Sequence, residues 1–356
     1  MKRFYQNFLA FFVLLCLAFG CSLEGSGSPG SNSGDGADLT TPGPEIEDEG
    51  TDETEPLAKE PGAAEFLSGK FVSEKEIEFV FSTPVTLVSL SFEPFMEIDS
   101  AEGGSTVKVF LEENPGTAIK LSVDLEVEDE WGNTISVQPV LISRNNRVPL
   151  LQINELRTEY SKPKSEFIEF KILSDGNLGA LQVFAAGNNL SPLVYEFGPV
   201  EVKAGEYAVL HLRTLEDENV DEYGDDLNES GGTDSCPTAH DFWIPGSVKL
   251  LRKTDAIYVL DQDGKVLDAV MISESPDTSW NKDYMAAAAE FLFKQDAWKS
   301  PIGGICCPAD AVDSSAIKTA ITRSISRDEA LENSGTAADW YVTTTGSATP
   351  GLPNKP

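Results

Sequence analysis

Three kinds of hydrophobic spacing follow one another along the 356-residue chain. The first is an unbroken apolar run over residues 8–19, flanked by Met1-Lys2-Arg3 and by Gly20-Cys21. The second, over residues 66–147, alternates polar and apolar side chains, as in Ile77-Glu78-Phe79-Val80-Phe81, Val107-Lys108-Val109-Phe110-Leu111 and Leu121-Ser122-Val123-Asp124-Leu125-Glu126-Val127. Successive side chains of a strand point to opposite faces, so this alternation marks half-buried strands. Turn signals at Thr83-Pro84, Gly103-Gly104, Asn114-Pro115-Gly116 and Trp131-Gly132-Asn133 cut it into short pieces, which predicts a small antiparallel sandwich. The third kind, from residue 148 onward, brings more widely spaced strands: Leu151-Gln152-Ile153-Asn154-Glu155-Leu156, Glu166-Phe167-Ile168-Glu169-Phe170, Gly205-Glu206-Tyr207-Ala208-Val209-Leu210 and Ala256-Ile257-Tyr258-Val259-Leu260-Asp261. Asp263-Gly264 between apolar alternations predicts a tight type I′ hairpin. One stretch breaks the β pattern. Asp283 to Phe293 is rich in alanine, and Met285, Ala289, Leu292 and Phe293 share a helical face, which predicts a short helix packed on the sandwich. The fold class expected is all-β, with two β-sandwich domains in tandem and short helices confined to the C-terminal part, in the segments near 214–247 and 281–322.

The basic start, the apolar run of about a dozen residues and the small residue before Cys21 make residues 1–20 a secretory signal, too short to span a bilayer comfortably. Leu17-Ala18-Phe19-Gly20-Cys21 resembles a bacterial lipobox, although Phe19 is bulkier than the usual residue there. The resemblance implies acylation of Cys21 and anchoring of the mature chain to a membrane by its lipid. Residues 21–65 are Gly/Ser/Pro-rich and then acidic, with Glu45, Glu47, Asp48, Glu49, Asp52, Glu53 and Glu55 close together. So few apolar side chains among so many like charges predict a disordered tether.

The alternation of residues 66–147 ends in Val127-Glu128-Asp129-Glu130-Trp131-Gly132-Asn133, and this segment resembles bacterial immunoglobulin-like domains, which carry a Val-x-Asp-x-x-Gly-Asn turn before the last strand. The blocks from Leu151 through Glu166-Phe167-Ile168-Glu169-Phe170, Asp263-Gly264-Lys265-Val266-Leu267-Asp268, Ser324-Ile325-Ser326-Arg327 and Asp339-Trp340 to Thr349-Pro350-Gly351-Leu352-Pro353-Asn354, in that order, resemble the lamin-tail domain. That resemblance implies a second immunoglobulin-like sandwich over residues 148–356. Phe167 and Phe170 depart from the aromatic and Tyr usual in the second block.

Charge narrows the partners. Lys and Arg number 26 against 59 Asp and Glu, a formal net charge of −33, and phosphate recognition needs clustered cations, so nucleic acid is excluded. Two histidines and four methionines leave little for His-based catalysis or soft-metal sites. Glu155, Glu166 and Glu169 could serve acid/base chemistry, but three positions separate Glu166 from Glu169 and send them to opposite faces, whereas a shared site needs one face. They read as architecture. In an oxidising envelope Cys236 is expected to form a disulfide with Cys306 or Cys307. The competing reading joins Cys236, His240, Cys306 and Cys307 in a zinc set. Asp217, Asp221, Asp225 and Asp226, in a loop dense in carboxylates, are candidate calcium ligands, although their spacing matches no helix–loop–helix template. No other cofactor is expected.

The function these features predict is non-enzymatic binding or display, by adhesion or envelope interaction, from a lipid anchor in a bacterial cell envelope. The outer membrane is favoured because Ser22 is not the Asp that holds lipoproteins inside, and the ligand expected is a protein or glycan. The alternatives are a metal-dependent, hydrolase-associated protein and a structural envelope scaffold.

Overall fold

The computed structural model describes residues 62–188 and 190–355. The signal sequence, Cys21 and the tether up to residue 61 lie outside the described residues. Where the sequence alternates, the chain forms β1 (Phe66–Phe71), β2 (Glu76–Glu93), β3 (Ile98–Glu102), β4 (Gly104–Leu111), β5 (Lys120–Asp129), β6 (Thr134–Val137) and β7 (Val140–Ile142). In β5 every second residue, Leu121, Val123, Leu125 and Val127, is buried while Lys120, Ser122 and Asp124 face solvent. The strands run β3-β4-β2-β5-β6, with β1 added to β2 and β7 to β5, around a core that includes Ile77, Phe79, Val107, Val109 and Leu121.

Thr83-Pro84 turns out not to end a strand. The register of β2 against β4 breaks between Val80 and Val85; up to Phe81 β2 pairs with β1 and β4, and from Val85 on it pairs with β5, keeping β4 only at Val85 opposite Gly104. A proline has no N–H to give to a ladder, so it fits the point where a long strand changes partner. The turn after β5 forms around Asp129, whose Oδ1 accepts the N–H groups of Trp131 and Asn133 at 2.9 Å and whose Oδ2 accepts from Asn133 Nδ2.

The rest of the chain supplies β8 (Leu151–Arg157), β9 (Phe167–Ile172), β10 (Gly176–Asn177), β11 (Gln182–Ala185), β12 (Leu193–Glu196), β13 (Glu201–Val202), β14 (Tyr207–His211), β15 (His240–Trp243), β16 (Asp255–Leu260), β17 (Val266–Ser273), α1 (Asp283–Lys294), β18 (Val312–Asp313), β19 (Ile325–Arg327) and β20 (Trp340–Val342). A six-stranded sheet, β15-β14-β9-β8-β19-β20, and a five-stranded sheet, β12-β11-β16-β17-β18, share a core holding Ile168, Phe170, Leu210, Phe242, Val183, Ile257 and Val270. The fold is all-β, with α1 the one α-helix among the described residues. That helix buries Met285, Ala288, Ala289 and Leu292; Phe293, expected on the same face, is exposed and Ala288 takes its place. The hairpin between β16 and β17 has a three-residue loop rather than a two-residue one. Gly264 N–H closes a turn on Asp261 O, Asp261 and Lys265 pair, and only Gly264 has positive φ there, as in a type I turn followed by a left-handed residue.

The two sandwiches belong to one unit, Ala63–Pro356. Between them Arg144 makes a two-pronged ion pair with Asp263 at 2.8 and 2.7 Å, Asn145 donates to the carbonyls of Asn177 and Gly179, and Gln262 accepts Asn145 N–H. The close approach depends on Gly179: a Cβ there would lie 2.4 Å from that of Ala118.

Candidate functional site

In β9 and β14, Ile168, Phe170, Ile172, Ala208 and Leu210 enter the main core. The alternate positions Phe167, Glu169, Tyr207, Val209 and His211 line the opposite face of the six-stranded sheet and are buried there too. An outward face of this kind is ordinarily solvated. Here it forms a second, polar interior with two connected groups of side chains.

The first group centres on His211, which is fully buried. Its Nε2 lies 2.9 Å from Asp241 Oδ1, and its Nδ1 lies 3.3 Å from Ser165 Oγ and 3.8 Å from Asp234 Oδ2. The Trp243 indole stacks on the imidazole at 3.7 Å with 8° between planes. Arg157 donates to Asp234 and to Ser165 O and sits 4.7 Å over the Phe167 ring. Cys236 N–H donates to Asp241 Oδ2 at 2.6 Å, and Asp241 N–H donates to Glu222 Oε2 at 2.8 Å. Burial pulls the His211 pKa down, but hydrogen bonds and charge from Asp234 and Asp241 more than reverse it, so it is raised. Burial pushes Asp234 up, and His211 and Arg157 overcome it, bringing it down to about 2. Burial, with Asp241 and Asp234 beside it, lifts the Cys236 thiol well above its usual range.

The second group is made of carboxylates. Glu155 and Glu169 are direct neighbours across β8 and β9 and both are fully buried. Glu155 accepts Thr349 N–H at 3.0 Å and the Ser324 and Ser326 hydroxyls; Glu169 accepts Gly351 N–H at 2.6 Å and Asn154 Nδ2 at 2.8 Å. Glu329 pairs with Lys171 and accepts Asn354 N–H, while Asn354 Nδ2 donates to the carbonyls of Asn154 and Arg327. Burial, reinforced by the charge of Glu155, raises Glu169 well above the carboxylate range. Glu166 stands apart from this pair, held by Arg213 Nε and Nη2 at 2.5 and 2.8 Å.

The expected site residues land elsewhere. Cys236, Cys306 and Cys307 are free thiols, which corrects the expected disulfide. Cys236 packs with Phe167, Tyr207, Val209 and Ala239, whereas Cys306 belongs to the main core, its thiol pushed up to about 12 by burial, and Cys307 N–H bonds to Asp310. The zinc set of Cys236, His240, Cys306 and Cys307 is not assembled, because Cys236 and Cys306 sit in separate apolar clusters. His240, at alternate parity to Asp241, has its Nε2 3.9 Å from Glu206. Of the candidate calcium ligands, Asp217, Asp225 and Asp226 are exposed, while Asp221 accepts from Tyr195 OH, Tyr223 OH and Trp243 N–H. Three metal-ligating groups that do converge are His211, Cys236 and Asp241, with one donor atom each within 4.8 Å of one another. His211 went unremarked in the sequence, where it merely ends an apolar strand.

On the surface, the loop before β16, the segment after β17 and the start of α1 enclose an open recess of about 630 Å³, lined by Lys249, Arg252, Lys253, Lys282, Asn281 and Tyr284 together with Glu159 and Glu274. Lys249 and Lys253 approach Glu159 at 3.1 and 3.8 Å. Four cations to two carboxylates make the recess locally positive.

The molecule is thus an all-β chain in which a buried polar layer fastens loops to the second sandwich. The family profile described as "TP_1001_2nd: protein second domain" matches residues 149–342, just over half of the chain, and the chain belongs to that family. An uncharacterized protein of Treponema pallidum (strain Nichols) is 30% identical over 169 residues, 44% of this chain and 42% of the relative. The chain therefore spans about two fifths of that relative's length. A solved structure of a DUF4876 family protein from Bacteroides thetaiotaomicron aligns over 78% of this chain and 90% of its own at 11% identity and a TM-score of 0.22, a superposition too loose to carry any argument. Among the described residues no helix is long and apolar enough to cross a membrane.

Proposed function

We propose that the protein is a lipid-anchored component of a bacterial cell envelope, in the outer membrane, that works by non-enzymatic binding or display. The observation that carries the binding part of this reading is the cationic recess on a chain whose net charge is −33. A locally positive hollow on so negative a surface is suited to a small acidic ligand and repels a long polyanion. Asn281 also lines the recess, and its amide can give and accept bonds of the kind that fit a glycan or an acidic peptide. The anchor is Cys21, by its lipobox-like setting. A lamin-tail-like second sandwich is supported by contacts among the motif blocks: Glu155 and Glu169 accept from Thr349 and Gly351, and Asn354 donates to Asn154 and Arg327. Those carboxylates serve backbone groups, and in this reading they perform no chemistry.

Titration calorimetry with uronic-acid oligosaccharides, sulfated oligosaccharides and acidic peptides tests the recess. Salt-sensitive binding that disappears in the Lys249→Glu/Lys253→Glu variant is expected, and silence across the panel overturns the assignment. Cys21→Ala should move the protein from the membrane to the soluble fraction. Protease treatment of intact cells, against a periplasmic marker, separates surface display from a periplasmic role.

A further inference from the structure

We propose that His211, Cys236 and Asp241 form a three-donor divalent-cation site, of a chemistry that suits zinc, in the polar interior outside the six-stranded sheet. This inference is independent of the recess and of the anchor. The donors sit on fixed elements, His211 at the end of β14 and Asp241 in the adjacent parallel strand β15, with Cys236 shortly before it. A tetrahedral zinc ion with nitrogen and sulfur donors places them roughly 3.5 Å apart. The three donor atoms already lie within 4.8 Å of one another, and His211 Nε2 and Asp241 Oδ1, now 2.9 Å apart in a hydrogen bond, would part slightly to admit the ion.

The surroundings have the form that orients metal ligands. A metal-bound imidazole commonly turns its other nitrogen to a hydroxyl or carboxylate. Here Nδ1 of His211 faces Ser165 and Asp234, Asp234 is held by Arg157, and Trp243 fixes the ring plane. The second oxygen of Asp241 is held by Cys236 N–H. The exchange balances: one divalent ion enters, and the proton of the Cys236 thiol and the proton shared between His211 Nε2 and Asp241 leave to solvent. The softness of the thiolate selects zinc over calcium or magnesium. The donors are nearly inaccessible, so loading accompanies folding or opening of the 212–239 segment.

The test uses the full mature chain, refolded with and without zinc, with metal content measured after desalting and cobalt as a spectroscopic substitute. One zinc per chain is expected, with a sulfur-to-cobalt charge-transfer band and a Tm rise of about 5–10 °C when free zinc is a hundredfold above Kd. Cys236→Ser should abolish the cobalt band, and Cys306→Ser should keep it. Wild-type protein that retains no zinc, shows no cobalt–thiolate band and keeps its Tm overturns the site, with no variant needed. A band that survives Cys236→Ser overturns it too.

Discussion

Asp255, at the start of β16, accepts the backbone N–H groups of Gly187, Arg252 and Ala256 at 2.7–3.0 Å. Burial still dominates over these bonds and raises its pKa to about 7. Between about pH 4 and pH 7 the native state therefore keeps a proton that the unfolded chain releases, so stability falls as pH rises through that interval, by on the order of 4 kcal/mol. In urea unfolding at about pH 4.5 and about pH 8, wild type should lose more stability on going alkaline than Asp255→Asn. Equal losses in the two proteins contradict the assignment. The amide variant should be less stable at acid pH, because its NH₂ faces donors. Arg213→Ala makes a sharper prediction. It strands the fully buried Glu166 carboxylate, which should cost about 3–5 kcal/mol, read as a fall in urea midpoint; the Glu166→Gln/Arg213→Met double variant should recover much of it. The opposite-face argument separated Glu166 from Glu169, and the two indeed hold different partners. The Glu155–Glu169 pairing was missed, because strand register depends on a bulge between Ile153 and Glu155 that no spacing rule reveals.

Among the elements, those stabilised locally were the most legible. The alanine-rich helix and the alternating strands of the first sandwich carry their pattern in consecutive residues, although the strands are held by distant partners such as β2 and β5. Their ends were less legible: Phe293 leaves the buried face near the helix terminus, and Pro84 lies within a strand. The acidic loop and the segment around Cys236 were beyond sequence reasoning, since their contacts with β14 and β15 are tertiary. The segment 349–354 shows the same dependence. Gly351 is buried with φ +75°, and a Cβ there would lie 2.9 Å from Thr238 Oγ1, so it allows the backbone to reach Glu169. Deleting residues 349–356 removes the donors that Thr349 and Gly351 supply to the buried Glu155 and Glu169 and that Asn354 supplies to the half-buried Glu329. The loss should be about 3–5 kcal/mol, seen as a drop in Tm of roughly 10 °C by calorimetry. An unchanged Tm would show that water replaces these donors without penalty.

Across the whole described body, the all-β architecture followed from alternation and turn chemistry. The way the sandwiches meet did not, because residues far apart in sequence create it. Gly179→Val tests that contact. Its side chain would meet Ala118 and Pro199, and overpacking of this kind costs about 1–3 kcal/mol. The expected result is a lower Tm, together with faster hydrogen exchange at Asn145, whose side chain bonds to the Gly179 carbonyl. The same contact has a mechanical meaning. A connector between two domains usually acts as a swivel that takes up slack under tension. Here Arg144 and Asn145 are bonded to both Asp263 and the 177–179 turn, so a pull applied at one sandwich passes directly into the other. In a single-molecule stretching record, the first event should be abrupt rupture of a sandwich, with no compliant extension of a linker before it.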